Sequence, residues 1–370
     1  MRLTVTLIAV AVVLAGVPAG ALGAPTAAGS ADAQQETDCG YPYSATDATG
    51  TEVSVDDRPE RIVALQASTA QILWEVGAQD RVVGMPVRSY TAYLNGSEER
   101  TDVLTEDGTS VDVEQVVALE PDLVIAPSSI PNSTVEQLRD ADVTVYKSGF
   151  DRSIGSIYAK TNLVGRLVGD CQQANATVEE MRADVERVEN AVEGREAPRT
   201  LYYFYNFTAG NGTFIHEVIE TAGGDNVAAN AGITGYREIS DEVVAERDPQ
   251  WIITPGDAPL PEREPFPSTT AYRENQTLSV NPNYMNQPAP RVVIPMLEIA
   301  RALHPEAFEN GTTETATAEP DPETVTDSST ETAGGDSDVE TTTTSEDGPG
   351  FGAVGAALAL LAVALLARRR

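Results

Sequence analysis

The sequence predicts an α/β chain of two similar lobes, each a small, mostly parallel sheet flanked by helices, joined by one long backbone helix with a cleft between the lobes. Three observations predict it. The stretch VDVEQVVALEPDLVIAP (111–127) returns 128 residues later as ISDEVVAERDPQWIITP (239–255), with Glu114 over Glu242, Val116 over Val244 and Pro121 over Pro249. Within the first copy, LVIA is a continuous apolar run, as suits a parallel strand covered on both faces. Between the halves, apolar residues recur every three or four positions from Ile154 through Val164, Val178 and Val188 to Val192, which is a helical period. A chain of 370 residues is long for one core, and two lobes are its natural division.

In chain order, residues 1–33 come first: Met1–Arg2, then LTVTLIAVAVVLAGVPAGALGA, a short apolar run ending in small residues. This is the pattern of an export signal. The first lobe, 39–150, holds RIVALQASTAQILWEVGAQDRVVG, read as strand, helix, strand. Ser68 or Thr69 can cap that helix, Ile72, Leu73 and Val76 line one face, and Gly77 stops it. Asp112 and Gln115 make a capping-box-like start for the next helix, and Val143–Tyr146 reads as a later strand. The linking segment, 151–194, reads as one long helix or two nearly collinear ones, up to roughly 60 Å. The second lobe, 195–309, repeats the plan: TLYYFYN as strand, TFIHEVIETAGG as a helix stopped by Gly223-Gly224, the echo, TLSV as a late strand, and a last helix over Pro290–Leu303.

Residues 310–348 are almost wholly Thr, Glu, Asp, Ser, Gly, Ala and Pro and can bury no core. They read as a disordered tether reaching roughly 35 Å. Residues 349–370 then bring an apolar run from Phe351 to Ala367, spanning roughly 25 Å, and Arg368–Arg370, which favour the cytoplasmic side.

Net charge is −33, with Lys147 and Lys160 the only lysines against 22 arginines. Such a balance disfavours nucleic acid and anionic membrane surfaces as partners and fits solubility in concentrated salt. Seven Asn-X-Ser/Thr sequons (Asn95, Asn132, Asn175, Asn206, Asn211, Asn275, Asn310) point to an extracellular glycoprotein. Cys39 and Cys171, the only cysteines, fit one disulfide in an oxidising compartment, with a free-thiol pair as the alternative. His216 and His304 are the only histidines, so no His-rich zinc or manganese site can be built. There is no nucleophile elbow, phosphate-cradling glycine loop or HExxH, and the chain reads as a non-enzyme without an intrinsic cofactor.

RIVALQASTAQILWEVGAQDRVVGM, VEQVVALEPDLVIA and the helix-linked second lobe resemble the helical-backbone class of substrate-binding proteins of ABC importers, over about residues 52–305. That family takes up cobalamin, ferric siderophores and haem, so the resemblance implies capture of a bulky chelate or corrinoid and delivery to a permease dimer by a monomeric binding protein. It also implies a role for Glu114 and Glu242, since in the cobalamin-binding member one glutamate per lobe docks on permease arginines. Without the resemblance, an acid in the first turn of a helix is explained by the helix dipole alone, at about 0.3–1 kcal/mol.

Strand ends mark the candidate pocket: Tyr90, Ser128, Tyr205, Phe207, Tyr236 and Tyr284, with Arg291 of Pro290-Arg291, which matches a Pro-Arg that often faces the cleft in the family. Pro349-Gly350-Phe351 with its apolar run and basic end resembles the PGF-type C-terminal sorting signal of archaeal surface proteins, which implies anchorage at the outer face of the cytoplasmic membrane. A retained transmembrane helix would leave the same topology. Two other classes stay open: a surface adhesin, which would need neither paired glutamates nor a cleft, and a chelatase-like enzyme, for which His216 would have to act.

Overall fold

Two parallel sheets with the same strand order carry the chain, in a computed structural model that describes residues 39–309. The export-signal region, Asn310, the tether and the C-terminal apolar run lie outside the described residues. In chain order the first half comprises β1 (Tyr43–Thr46), β2 (Glu52–Val55), β3 (Ile62–Ala64), α1 (Ala67–Glu75), β4 (Val82–Met85), β5 (Thr101–Asp102), α2 (Val113–Ala118), β6 (Leu123–Ala126), α3 (Asn132–Asp140) and β7 (Val145–Lys147). Two helices follow, α4 (Ile154–Val168) and α5 (Cys171–Val192). The second half has β8 (Arg199–Tyr202), β9 (Phe207–Ala209), α6 (Phe214–Thr221), β10 (Asp225–Asn226), α7 (Val227–Asn230), β11 (Tyr236–Glu238), α8 (Asp241–Arg247) and β12 (Trp251–Pro255). It ends with α9 (Thr270–Arg273), β13 (Thr277–Val280), α10 (Pro282–Met285), α11 (Val293–Leu303) and α12 (Pro305–Phe308).

The first sheet runs β5-β4-β3-β6-β7 and the second β10-β8-β12-β13, all parallel. Laid over one another, β4-β3-β6-β7 matches β10-β8-β12-β13, so the echo in the sequence is a repeat in the fold. Alternation places each strand's residues on opposite faces. Ile62, Ala64 and Ile125 pack in one apolar cluster, while Val63, Val124 and Ala126 pack in another on the reverse face. The second sheet does the same with Tyr202 and Ile253 against Leu201, Tyr203 and Ile252.

Several elements depart from the sequence reading. Ser68 and Thr69 do not cap α1; they lie inside it, and the N-cap is Gln66. The strand from TLYYFYN ends at Tyr202, because Tyr205 and Asn206 take positive φ values of 45° and 67° and turn the chain back along β9. The hairpin β1–β2 alternates: Tyr43, Ala45, Val53 and Val55 pack on the core of the first lobe. Asp47, buried in its turn, accepts from Thr49 N at 2.8 Å, Lys147 N at 3.1 Å and Arg139 Nη2 at 2.7 Å, and so fastens the hairpin to β7 and α3.

The linking segment also differs: it is neither one helix nor a collinear pair. Gly169 closes α4 in the left-handed conformation, φ 78°, which glycine reaches without a Cβ penalty. A Cβ at Gly165 would overlap that of Ala174, although residues nine apart in a continuous helix stand about 13 Å apart. The two helices therefore fold against each other at an elbow. A Cys39–Cys171 disulfide, with Cα atoms 5.7 Å apart, pins the start of the described chain to that elbow. Tyr41 Oη donates to Leu167 O at 3.2 Å, and Asp170 pairs with Arg58 at 2.9 Å and with Arg81.

Candidate functional site

Each copy of the repeated helix begins with a side-chain cap. Asp112 accepts from Gln115 N at 2.9 Å, and Ser240 accepts from Val243 N at 3.3 Å. One turn later Val116 and Val244 are wholly buried and fix the inward face. With caps and buried valines in register, Glu114 and Glu242 each fall at the second helical position, and both are exposed. Because α2 leads into β6 and α8 into β12, both strands of the parallel sheets, each helix starts on the side where the carboxyl ends of those strands open.

Those strand ends meet. Tyr90 and Tyr93 lie in the loop after β4, and Tyr284, Gln287 and Arg291 lie in the segment after β13. Gln287 donates to Tyr90 O at 3.1 Å and accepts from Tyr93 Oη at 2.9 Å. From α1, Gln71 donates to Tyr93 Oη at 2.7 Å and accepts from Arg291 N at 2.9 Å. The Arg291 guanidinium pairs with Glu75 at 2.7 Å and sits 5.2 Å and 5.7 Å from the ring centroids of Tyr93 and Tyr284. Burial alone would lower the pKa of Arg291; the hydrogen bond and charge of Glu75 outweigh it and raise it. Burial pushes the phenol of Tyr93 up as well. Three residues picked from the sequence, Tyr90, Tyr284 and Arg291, thus belong to one network that ties the halves together. Tyr93, Gln287, Gln71 and Glu75 were not foreseen, because nothing in one segment announces a partner some 200 residues away.

A second tie lies deeper. Lys160 of α4 is buried, pairs with Asp151 at 2.5 Å and donates to Pro288 O at 2.6 Å. Burial raises the Asp151 carboxyl and lowers the Lys160 ammonium against their mutual attraction. Tyr236 is also buried here; burial, and to a smaller extent the charge of Asp151, raises its phenol.

Of the remaining pocket candidates, Ser128 is half-buried just past β6, Tyr205 is 41 % exposed at the turn after β8, and Phe207 is half-buried at the start of β9. Five sequon asparagines, Asn95, Asn132, Asn206, Asn211 and Asn275, are exposed, and Asn175 is half-buried. Asn132 accepts from Lys147 Nζ at 2.5 Å and Asn206 from Tyr203 Oη at 2.7 Å. His216 Nδ1 lies 3.2 Å from Asn226 Nδ2, and His304 is buried against Gly223 O at 3.0 Å. A shallow groove lined by Glu189, Val192, Glu193 and Glu220 sits where α5 runs towards β8, at the opposite edge of the sheet from the strand ends. Among the described residues no group of three or more His, Cys, Asp or Glu side chains is arranged to hold a metal ion.

Comparison with known proteins places this arrangement. The family model described as periplasmic binding protein matches residues 62–291, and a PGF-CTERM motif matches residues 348–370. A cobalamin-binding protein of Halobacterium salinarum is 38 % identical over 314 residues, covering 81 % of this chain and 84 % of the relative. Among solved structures, the periplasmic heme-binding protein from Roseiflexus sp. RS-1 superposes with a TM-score of 0.60 at 22 % identity, covering 67 % of this chain and 99 % of that one. The periplasmic vitamin B12 binding protein of Vibrio cholerae gives 0.59 at 22 %, covering 68 % and 99 %.

Proposed function

Because the chain belongs to the periplasmic binding protein family, and so serves an ABC importer as its substrate-binding protein, we propose that it captures a corrinoid of the cobalamin class at the cell surface and carries it to a twofold permease. The observation that carries delivery is the matched pair of helix starts. Dipole compensation would explain an exposed glutamate at one of them as readily as at both. A symmetric partner gives a reason for two, at equivalent positions of two equivalent lobes. A corrinoid is favoured over haem or a ferric chelate by the 38 % identity to a cobalamin-binding protein along most of both chains.

The protein acts as a monomer held by its C-terminal PGF-CTERM segment at the outer face of the cytoplasmic membrane. It performs no chemistry on its ligand. His216 supports this, since its ring nitrogen is engaged by Asn226, with Glu220 at 3.8 Å, beside the core of the second lobe.

The test has two readouts. Cyanocobalamin, haemin and a ferric siderophore are titrated into purified protein in molar salt, following the fluorescence of Trp74 and Trp251; binding of cyanocobalamin is expected to be the tightest. Uptake of labelled ligand by cells is then measured with the E114A/E242A double variant. Affinity should stay within about twofold while uptake falls at least tenfold; undiminished uptake ends the docking role.

A further inference from the structure

Among the described residues three large hydrophobic side chains are conspicuously exposed: Phe150, Tyr205 and Tyr272. Two of them leave the carboxyl ends of parallel strands, one in each half, Phe150 after β7 and Tyr205 after β8. Tyr205 is held out by a left-handed backbone, φ 45°, a conformation a non-glycine residue keeps only where its surroundings impose it. Phe150 carries a cation. The Arg152 guanidinium lies 5.3 Å from its ring centroid, and Arg152 N donates to Ser156 Oγ at 3.1 Å, in the capping box of α4. Its Nη1 also lies close to the loop before α6, 3.8 Å from where a Cβ on Gly212 would stand. That guanidinium therefore spans the two halves, is exposed, and forms no ion pair among the described residues. The position matters too: β4 and β7 are three strands apart, about 14 Å, so this edge is separate from the Arg291 network.

We infer that Arg152, backed by Phe150, is a specificity-determining residue that receives an anionic side group of a flat macrocyclic ligand while the Phe150 and Tyr205 rings meet its apolar surface. The inference rests on the reading given under Proposed function. Guanidinium suits the task because it offers several donors in one plane to phosphate or carboxylate and stacks on an aromatic face. A hydrogen-bonded contact of this kind survives the molar salt that screens exposed charges beyond about 3 Å. In a corrinoid the anion is the phosphodiester of the nucleotide loop; in a porphyrin it is a carboxylate.

Four proteins are compared in molar KCl by absorbance titration: wild type, R152Q, F150A and R182Q. The last removes another arginine–aromatic stack, over Tyr158 on the linking helices, and serves as control. Probes are cyanocobalamin, dicyanocobinamide, which lacks the phosphodiester, and haemin. R152Q should weaken cyanocobalamin about tenfold and leave dicyanocobinamide within twofold; F150A should weaken both. A loss on haemin alone would move the anion to a carboxylate and keep the role of Arg152. Equal effects of R152Q on both corrinoids, no effect of R152Q, or an equal loss in R182Q would overturn the inference and leave corrinoid capture standing. If wild type binds none of the probes, capture itself falls, and this with it.

Discussion

Arg291 illustrates what a single residue can and cannot disclose. Pro290-Arg291 opens a helix near a strand end, which marks it for attention, but its side chain is spent on Glu75, Tyr93 and Tyr284 across the two halves. Replacing it should loosen the joint. R291M leaves Glu75 without its cation and Gln71 still bonded to the main chain at residue 291. The expected cost is about 1.5–3 kcal/mol of stability, the range for hydrogen bonds to charged groups. Amide exchange should quicken in 87–94 and 281–291 together, since one guanidinium serves both. Quickening in only one of those segments, or in neither, would show that Arg291 does not join them. Residue types near strand ends were legible from the sequence, as Tyr90, Tyr284 and Arg291 show. Which of them face ligand and which face the other half was not, because that depends on pairs such as Tyr93 with Gln287, 194 residues apart.

Elements were read more fully than side chains, for a physical reason. A strand buried on both faces, such as LVIA, is apolar throughout, and a capped helix start such as Asp112 or Ser240 offers an acceptor; both leave marks within a few residues. The alternation of β1–β2 is equally local, Tyr43, Ala45, Val53 and Val55 packing on the core, but the buried carboxylate that ties its turn to β7 and α3, Asp47, left no such mark. Nor did the elbow. Apolar spacing continues from Leu167 to Ala174 as though the helix ran on, and only Gly169-Asp170 interrupts it. The elbow is where the disulfide acts. Cross-linking residues 132 apart removes, in the chain-entropy view, up to about 5 kcal/mol from the unfolded ensemble. A C39S/C171S variant, and wild type in strong reductant, should unfold in guanidinium at a clearly lower midpoint with an m-value at least as large. A midpoint unchanged in both would mean that Tyr41 and the Arg58–Asp170–Arg81 group fix the elbow without it.

At the scale of the molecule, a net charge of −33 works against compactness, because like charges repel more in the folded chain than in an extended one. The way the cations are deployed sharpens the point. Both lysines of the chain are buried, Lys147 against Asn132 and Lys160 against Asp151, so every cationic side chain exposed among the described residues is an arginine, apart from what the histidines contribute. Arginine is the more weakly hydrated of the two and binds carboxylates through a planar fork. Several surface arginines pair with carboxylates here, among them Arg187 with Asp184 and Arg195 with Glu306. What those pairs leave uncompensated must be screened by salt. Debye lengths of about 10 Å at 0.1 M and about 3 Å at 1 M put most of that relief below 1 M. The melting temperature of the intact protein should therefore rise by roughly 5 °C between 0.1 and 1 M KCl, which for a chain of this size corresponds to about 1–3 kcal/mol. Sucrose, an uncharged excluded solute, strengthens burial without screening, so at 0.1 M KCl it should not reproduce that early rise. A melting temperature flat from 0.1 to 3 M KCl would show that the acidic surface imposes no load on the fold, and that its excess of carboxylates serves solubility alone.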